Sequence, residues 1–201
     1  MIRRTRRVPD VRRSGLSFTS EETEKVVACV SQLLGDEKLA RSIQFSPTVI
    51  SNIRRLLAEG GSVITDTGII ASSVAQSLGG EKRVQVKCFI DDPEVLLRAT
   101  SMHTTRAEVA LDMALSEPGL KLLIIGSAPA ALNRLLAHRQ HEPLTDVSLL
   151  CTVNNYAAAI QLKERLRECD MAHIVTRGKR GGVQAAAVIF EAVLRTIREK
   201  R

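Results

Sequence analysis

The chain has 201 residues, 44% of them apolar, which suits one globular domain and is short for two. No apolar run is long enough to cross a bilayer, and no apolar segment follows the charged N-terminus. We therefore expect a cytoplasmic protein with no secretory signal and no membrane partner.

The net charge of +7 is concentrated in a basic tail, residues 1–19, which is rich in arginine. Basic tails can bind nucleic acid. Aromatic residues, however, make up only 2% of the chain and are scattered, which leaves no stacking platform for bases. Nucleic acid is therefore the partner that we expect least, and a solvated or partner-contacting tail is favoured.

The elements predicted after the tail form one domain over residues 20–201. Two helices come first, over 23–34 and 48–59. Five short strands follow, several of them apolar throughout, over 62–65, 84–90, 122–125, 147–152 and 173–176. Helical patterns lie between and after them, over 69–78, 106–115, 131–138, 156–169 and 183–199, and Thr105 with Glu108 has the form of a capping box. This alternation predicts an α/β fold, a mainly parallel five-stranded sheet with helices on both faces, in which the direction of one edge strand stays open.

Ligands of such sheets bind beyond the carboxyl ends of the strands. The most distinctive strand end is the run TRGKRGG over residues 176–182, which combines three cations with three glycines ahead of the last helix. Glycines permit turns that point several amide groups one way, and the N-terminus of a helix is positive. The segment therefore predicts an anion site suited to carboxylates, while the alternative, a solvated basic loop, is disfavoured by the glycines.

Two further strand ends are candidates for the same site. Gly126-Ser127-Ala128-Pro129 follows the third predicted strand, and its small residues permit a ligand to approach closely, although an ordinary turn has the same composition. Asp66 ends the first predicted strand.

Metal sites lack motif support. The adjacent acids Asp91 and Asp92 precede a proline, which favours a turn and a helix cap over a metal site. The cysteines show no paired spacing, so we predict free thiols at Cys29, Cys88, Cys151 and Cys169. Nucleotide-binding and hydrolase motifs are absent as well.

In order and spacing, these segments resemble the precorrin-8X methylmutase family of corrin-ring biosynthesis. The matching blocks cover roughly residues 24–195. CFIDDPEV at 88–95 and TRGKRGG at 176–182 are the specific ones. The other blocks are FSP at 45–47, TD at 65–66, TR at 105–106, IG at 125–126, AP at 128–129, AL at 131–132 and KE at 163–164.

The resemblance implies an isomerase of cobalamin biosynthesis that moves a methyl group from C-11 to C-12 of precorrin-8X, or of cobalt-precorrin-8, without a cofactor or metal. It also implies a homodimer with the tetrapyrrole near the subunit interface. The substrate-binding residues that we infer are Ser46, Asp66, Arg106, Gly126, Ser127, Thr176, Arg177, Gly178, Lys179 and Arg180.

One departure from the family pattern concerns the catalytic position. The family carries a histidine in a stretch that aligns with Val26-Val27 and Gly35-Asp36, and this alignment puts Gln32 in its place. Glutamine donates a hydrogen bond but exchanges no proton near neutral pH. The stretch Cys151–Glu164 also loses two glycines and a proline of the family pattern, and Gly68 stands where a basic residue is usual.

The sequence therefore leaves two functions open. One is an active methylmutase with a changed proton donor, which we favour. The other is a catalytically inactive tetrapyrrole-binding homologue that acts as a carrier or regulator, because fold analogy alone does not establish activity.

Overall fold

The computed structural model of the protein describes residues 21–154 and 157–199. The basic tail and the predicted start of one helix at Tyr156 lie outside the described residues. The described helices are α1 (Glu21–Leu34), α2 (Glu37–Ala40), α3 (Val49–Glu59), α4 (Gly68–Leu78), α5 (Pro93–Ser101), α6 (Arg106–Ser116), α7 (Pro129–His141), α8 (Ala157–Glu168) and α9 (Val183–Arg198). The described strands are β1 (Ile43–Phe45), β2 (Gly61–Thr65), β3 (Val84–Lys87), β4 (Lys121–Ile125), β5 (Val147–Cys151) and β6 (Ala172–Thr176).

The strands form one sheet in the order β1-β6-β5-β4-β2-β3. The five strands β6, β5, β4, β2 and β3 run parallel to one another, which confirms the α/β class. The predicted count of five strands is wrong, because β1 pairs antiparallel with β6 as a sixth strand. With three residues, β1 is too short for a period of two to be read from the sequence.

Two more predictions need correction. The strand predicted over 84–90 ends at Lys87, because residues 88–92 turn into α5. The Asp92 carboxylate caps this helix by accepting the Glu94 N–H at 2.8 Å. Helices α5 and α2 were not among the predicted helices, although the cap itself was predicted at Asp92. The capping box of Thr105 and Glu108 at the start of α6 is confirmed.

Helices cover both faces of the sheet, as predicted. Residues of α1, α3, α4 and α9 form one core with one face, and residues of α6, α7 and α8 form a second core with the other face. Every residue of β4, β5 and β6 is buried, as expected for strands covered on both sides. None of the described helices combines the length and apolar character needed to cross a bilayer.

All five parallel strands end at the same edge of the sheet, which we call the carboxyl edge, and the opposite edge is the amino edge. The loops at the carboxyl edge come from distant parts of the sequence. They contain most of the residues that the sequence assigned to the ligand.

Candidate active site

Asp66 joins two of the predicted segments at the carboxyl edge. It follows β2, and its Oδ2 accepts hydrogen bonds from the backbone N–H groups of Ser127 at 2.7 Å and Ala128 at 2.9 Å, in the loop after β4. Its Oδ1 is buried and has no hydrogen-bond partner among the described residues. Burial raises the pKa of Asp66, although the backbone N–H groups oppose this effect. The side chain also lines a small, mainly apolar cavity with Ile90 and Ala107.

Gly126 brings the loop after β4 against the start of α9. A Cβ at this position would lie 2.6 Å from Cδ1 of Ile70 in α4 and 3.3 Å from Cβ of Ala186 in α9. A larger residue here would require the end of the Ile70 side chain to move, so the loop lies close to both helices. The loops after β2, β4 and β6 therefore meet at one place.

The basic segment forms an exposed loop, residues 177–180, which we call the cationic loop. Arg177, Lys179 and Arg180 are exposed, and no carboxylate of the described part of the chain lies within 4.0 Å of their charged atoms. Gly178 adopts φ 63°, a left-handed conformation that favours glycine. Three cations without carboxylate partners are free to meet an anion.

The two following glycines serve a different purpose from the one that the sequence indicated. A Cβ on Gly181 would lie 2.0 Å from the carbonyl oxygen of Thr152, after β5. The Gly182 N–H donates to that same oxygen, and the Thr152 hydroxyl donates to the Gly182 carbonyl at 2.9 Å. These glycines let the segment join the end of β5, so the Gly182 amide is occupied within the protein.

Beneath the cationic loop lies Lys163 of α8, whose residue surface is only 1% exposed. Its ammonium donates to the Arg180 carbonyl oxygen at 3.1 Å and to the Thr176 Oγ1 at 3.5 Å. The buried Thr176 hydroxyl in turn donates to the Arg180 carbonyl at 2.8 Å. Burial lowers the pKa of Lys163, because the charged form loses hydration.

Sequence reasoning missed the position of Lys163, although a signal was present. Buried Ala159, Leu162 and Leu166 define the inner side of α8, and Lys163 falls on that side at helical spacing. A lysine on the apolar side of a helix indicates a buried ammonium with a specific partner.

Three other predicted residues take no part in these hydrogen bonds. Ser46 lies at the amino edge, where its hydroxyl accepts the His173 N–H at 2.7 Å. Arg106 begins α6 and lies 3.6 Å from the Asp91 carboxylate, next to Ala107 of the cavity wall. Gln32 is exposed in the last turn of α1, a helix that packs against α9.

Among the described residues, the structure has no group of three or more His, Cys, Asp or Glu side chains that could hold a metal ion. The four cysteines are free, and Cys151 is fully buried, which raises the pKa of its thiol to about 12. The charged groups that the carboxyl edge brings together are the buried Asp66 carboxyl and the exposed cations of the cationic loop.

Comparison with known proteins gives matches over nearly the whole chain. A family model described as precorrin-8X methylmutase matches residues 9–196. The chain is 29% identical over 200 residues to the cobalt-precorrin-8 methylmutase of Salmonella typhimurium, with 99% of this chain and 90% of the relative covered. It is also 29% identical to the precorrin-8X methylmutase of Pseudomonas aeruginosa, with 90% of this chain and 87% of the relative covered.

Solved structures support the same fold. A precorrin-8X methylmutase from Thermus thermophilus superposes with a TM-score of 0.79 at 20% identity, covering 92% of this chain and 91% of that one. A precorrin-8X methylmutase related protein superposes with a TM-score of 0.79 at 22% identity, covering 92% of this chain and 94% of that one. The family match spans nearly the whole chain and includes every element at the carboxyl edge. The chain therefore belongs to the precorrin-8X methylmutase family, isomerases of cobalamin biosynthesis.

Proposed function

We propose that the protein binds precorrin-8X, or cobalt-precorrin-8, at the carboxyl edge and moves one methyl group from C-11 to C-12 of the ring. The relatives named above carry both substrate names, so the metal state of the ring is one variable of the test. The reaction is an internal rearrangement, and the proposal gives it no cofactor. We place it in the cytoplasm.

The cationic loop is the observation that carries this proposal. The macrocycle bears many acetate and propionate carboxylates, and the loop presents two guanidinium groups and one ammonium group to solvent. Guanidinium groups bind carboxylates through paired, charge-assisted hydrogen bonds. Since no carboxylate of the described residues occupies these cations, binding the ligand requires no ion pair to break.

Two other predicted residues enter the proposal with different roles. The Asp66 carboxyl holds the backbone of Ser127 and Ala128, so it shapes the floor of the site. Gln32 stands in the position where the family has a histidine, and it donates a hydrogen bond to a ring nitrogen. Because an amide exchanges no proton near neutral pH, we expect turnover to be slow.

We further propose that the active species is a homodimer. The family resemblance implies this state. Exposed large apolar side chains support it. They are Ile69 on α4 at 70%, Leu96 and Leu97 on α5 at 57% and 71%, and Met102 directly after α5 at 54%. A second copy that covered such residues would remove apolar surface from water.

The test is incubation with precorrin-8X under anaerobic conditions, with binding and product formation both followed by absorbance. We expect binding and conversion to hydrogenobyrinic acid. Tight binding without product would identify the alternative, a binding homologue descended from an enzyme. No binding of either the metal-free or the cobalt form would overturn the proposal.

A further inference from the structure

Lys163, the buried lysine below the cationic loop, takes no part in the proposed reaction. An ammonium in a protein interior costs free energy unless hydrogen bonds replace its water shell. Lys163 has no carboxylate of the described residues within 4.0 Å, and its partners are one backbone carbonyl and one hydroxyl. A core that needed only volume would be served as well by an apolar side chain at this position.

Both of those partners belong to the segment that carries the ligand-binding cations. Lys163 of α8 and Thr176 of β6 donate to the same oxygen, the Arg180 carbonyl, at 3.1 and 2.8 Å. Lys163 also donates to the Thr176 hydroxyl at 3.5 Å. The ammonium, the hydroxyl and the Arg180 carbonyl therefore form one hydrogen-bonded network under the loop. The main chain at Arg180 is therefore held from the inside of the protein.

The far end of the same segment is held independently. Gly181 lies against the Thr152 carbonyl, and Gly182 exchanges two hydrogen bonds with Thr152. With Arg180 held by Lys163 and Gly182 held by β5, the exposed side chains project from a restrained backbone. A loop whose backbone is already restrained loses less conformational entropy when a ligand binds.

We propose that Lys163 is a positioning residue for the ligand site, whose buried ammonium fixes the main chain of the cationic loop at Arg180. It touches no ligand and acts through the loop. The identity of the ligand rests on the proposed function, whereas the restraint of the loop does not.

The test compares Lys163→Met with a matched variant, Lys121→Met. Lys121 is the other buried lysine of the described chain, and its ammonium donates to the carbonyls of Glu117 and Gly119 at 2.5 and 3.0 Å, at the amino edge. Lys163→Met keeps the side-chain volume, and Thr176 still donates to the Arg180 carbonyl, so no buried carbonyl loses its last partner. We therefore expect it to fold.

The first readout is the rate of trypsin cleavage after Arg177, Lys179 and Arg180 in the native protein, followed by mass spectrometry. Lys163→Met should raise this rate at least about tenfold, the factor that corresponds to roughly 1.4 kcal/mol, and Lys121→Met should not. Thr176→Val removes the second donor and should act in the same direction, which keeps the test available if Lys163→Met does not fold.

The second readout is the Kd for hydrogenobyrinic acid, which should rise at least about tenfold in Lys163→Met and stay unchanged in Lys121→Met. Unchanged cleavage in Lys163→Met would overturn the inference even if affinity fell, because the loop would then not depend on Lys163. Equally fast cleavage in both lysine variants would overturn it too, as a general loss of stability. If the wild type binds no hydrogenobyrinic acid, the proposed function fails while the cleavage comparison still decides the role of Lys163.

Discussion

The Asp66 carboxylate accepts the Ser127 N–H at 2.7 Å, so a side chain at the end of β2 holds the loop that follows β4. Its other oxygen is buried without a partner in the described chain, and burial raises the pKa of this carboxyl above its ordinary value of 3.8. A carboxyl whose pKa is higher in the folded than in the unfolded state binds more protons when folded. The stability that it contributes is therefore present at low pH and is lost as the pH rises through the folded pKa.

We predict that wild type loses stability relative to Asp66→Asn as the pH rises from about 4 to about 7, by roughly 1.4 kcal/mol for each unit by which the pKa is raised. Asparagine keeps an oxygen for the Ser127 and Ala128 amides but does not ionise. Urea unfolding of both proteins across this range measures the difference. A difference that does not change with pH would contradict the shift.

We predict that replacing both Arg177 and Arg180 by alanine weakens tetrapyrrole binding strongly while the fold stays intact. Each charge-assisted bond that is lost costs about 1.5–3 kcal/mol where the ligand shields it from water, and less where it stays exposed. Titration followed by absorbance measures the Kd, and circular dichroism checks the fold. A control with the same change in charge is Arg55→Ala with Arg83→Ala, since both arginines lie near the amino edge. Equal affinity in the two double variants would remove the cationic loop from the site.

We predict that Gln32→His raises the rate of product formation. A positioned general acid contributes about 10² to 10⁴ in rate, although the altered Cys151–Glu164 stretch limits the gain here. Single-turnover assays with precorrin-8X measure the change. Wild-type turnover that matches ordinary family members and is lost on replacing the exposed His103 would show that another group supplies the proton.

We predict that Gly181→Ala destabilises the protein by at least about 2 kcal/mol, because the new Cβ would meet the Thr152 carbonyl oxygen. Gly80→Ala is the matched control. Gly80 also has a positive φ, 85°, but has open space around it, so it carries only the conformational cost of about 1–2 kcal/mol. Equal losses in urea unfolding would show that the contact with Thr152 contributes nothing.

We predict a solution mass near twice the 22.0 kDa of one chain. Light scattering at micromolar concentration measures it. The variant Ile69→Ser with Leu97→Ser removes two of the exposed apolar side chains and should shift the protein toward a single chain. A wild type that already has the mass of one chain would contradict the homodimer.

The sequence predicted the middle of the parallel sheet well because β4, β5 and β6 are buried on both faces and are mainly apolar. The prediction missed β1, because three residues are too few to show an alternating pattern. It also extended β3 over residues 88–90, because these apolar residues continue past the end of the strand into a turn. Local patterns reveal which residues are apolar, but the pairing of Ile43 with Thr176 is a contact between distant segments.

The candidate site was predicted in the same uneven way. The cations of the loop after β6 are visible as residue types, so the sequence identified them directly. The sequence did not show that Gly181 makes room for the Thr152 carbonyl or that Lys163 reaches the Arg180 carbonyl, because both depend on backbone atoms of other segments. Ser46 was assigned by resemblance alone, and its hydroxyl accepts a backbone N–H at the amino edge.

Strand β1 also has a consequence for the order in which the protein is made. It precedes every other strand along the chain, yet its partner β6 is the last one, so β1 has no strand to pair with until nearly the whole domain has been synthesised. Until β6 is made, β5 has no neighbour on one side and its backbone N–H and C=O groups there are unpaired. Such an open edge is a template for pairing with other chains. Nascent chains that stop before Ala172 should therefore aggregate, while chains that extend through α9 should not.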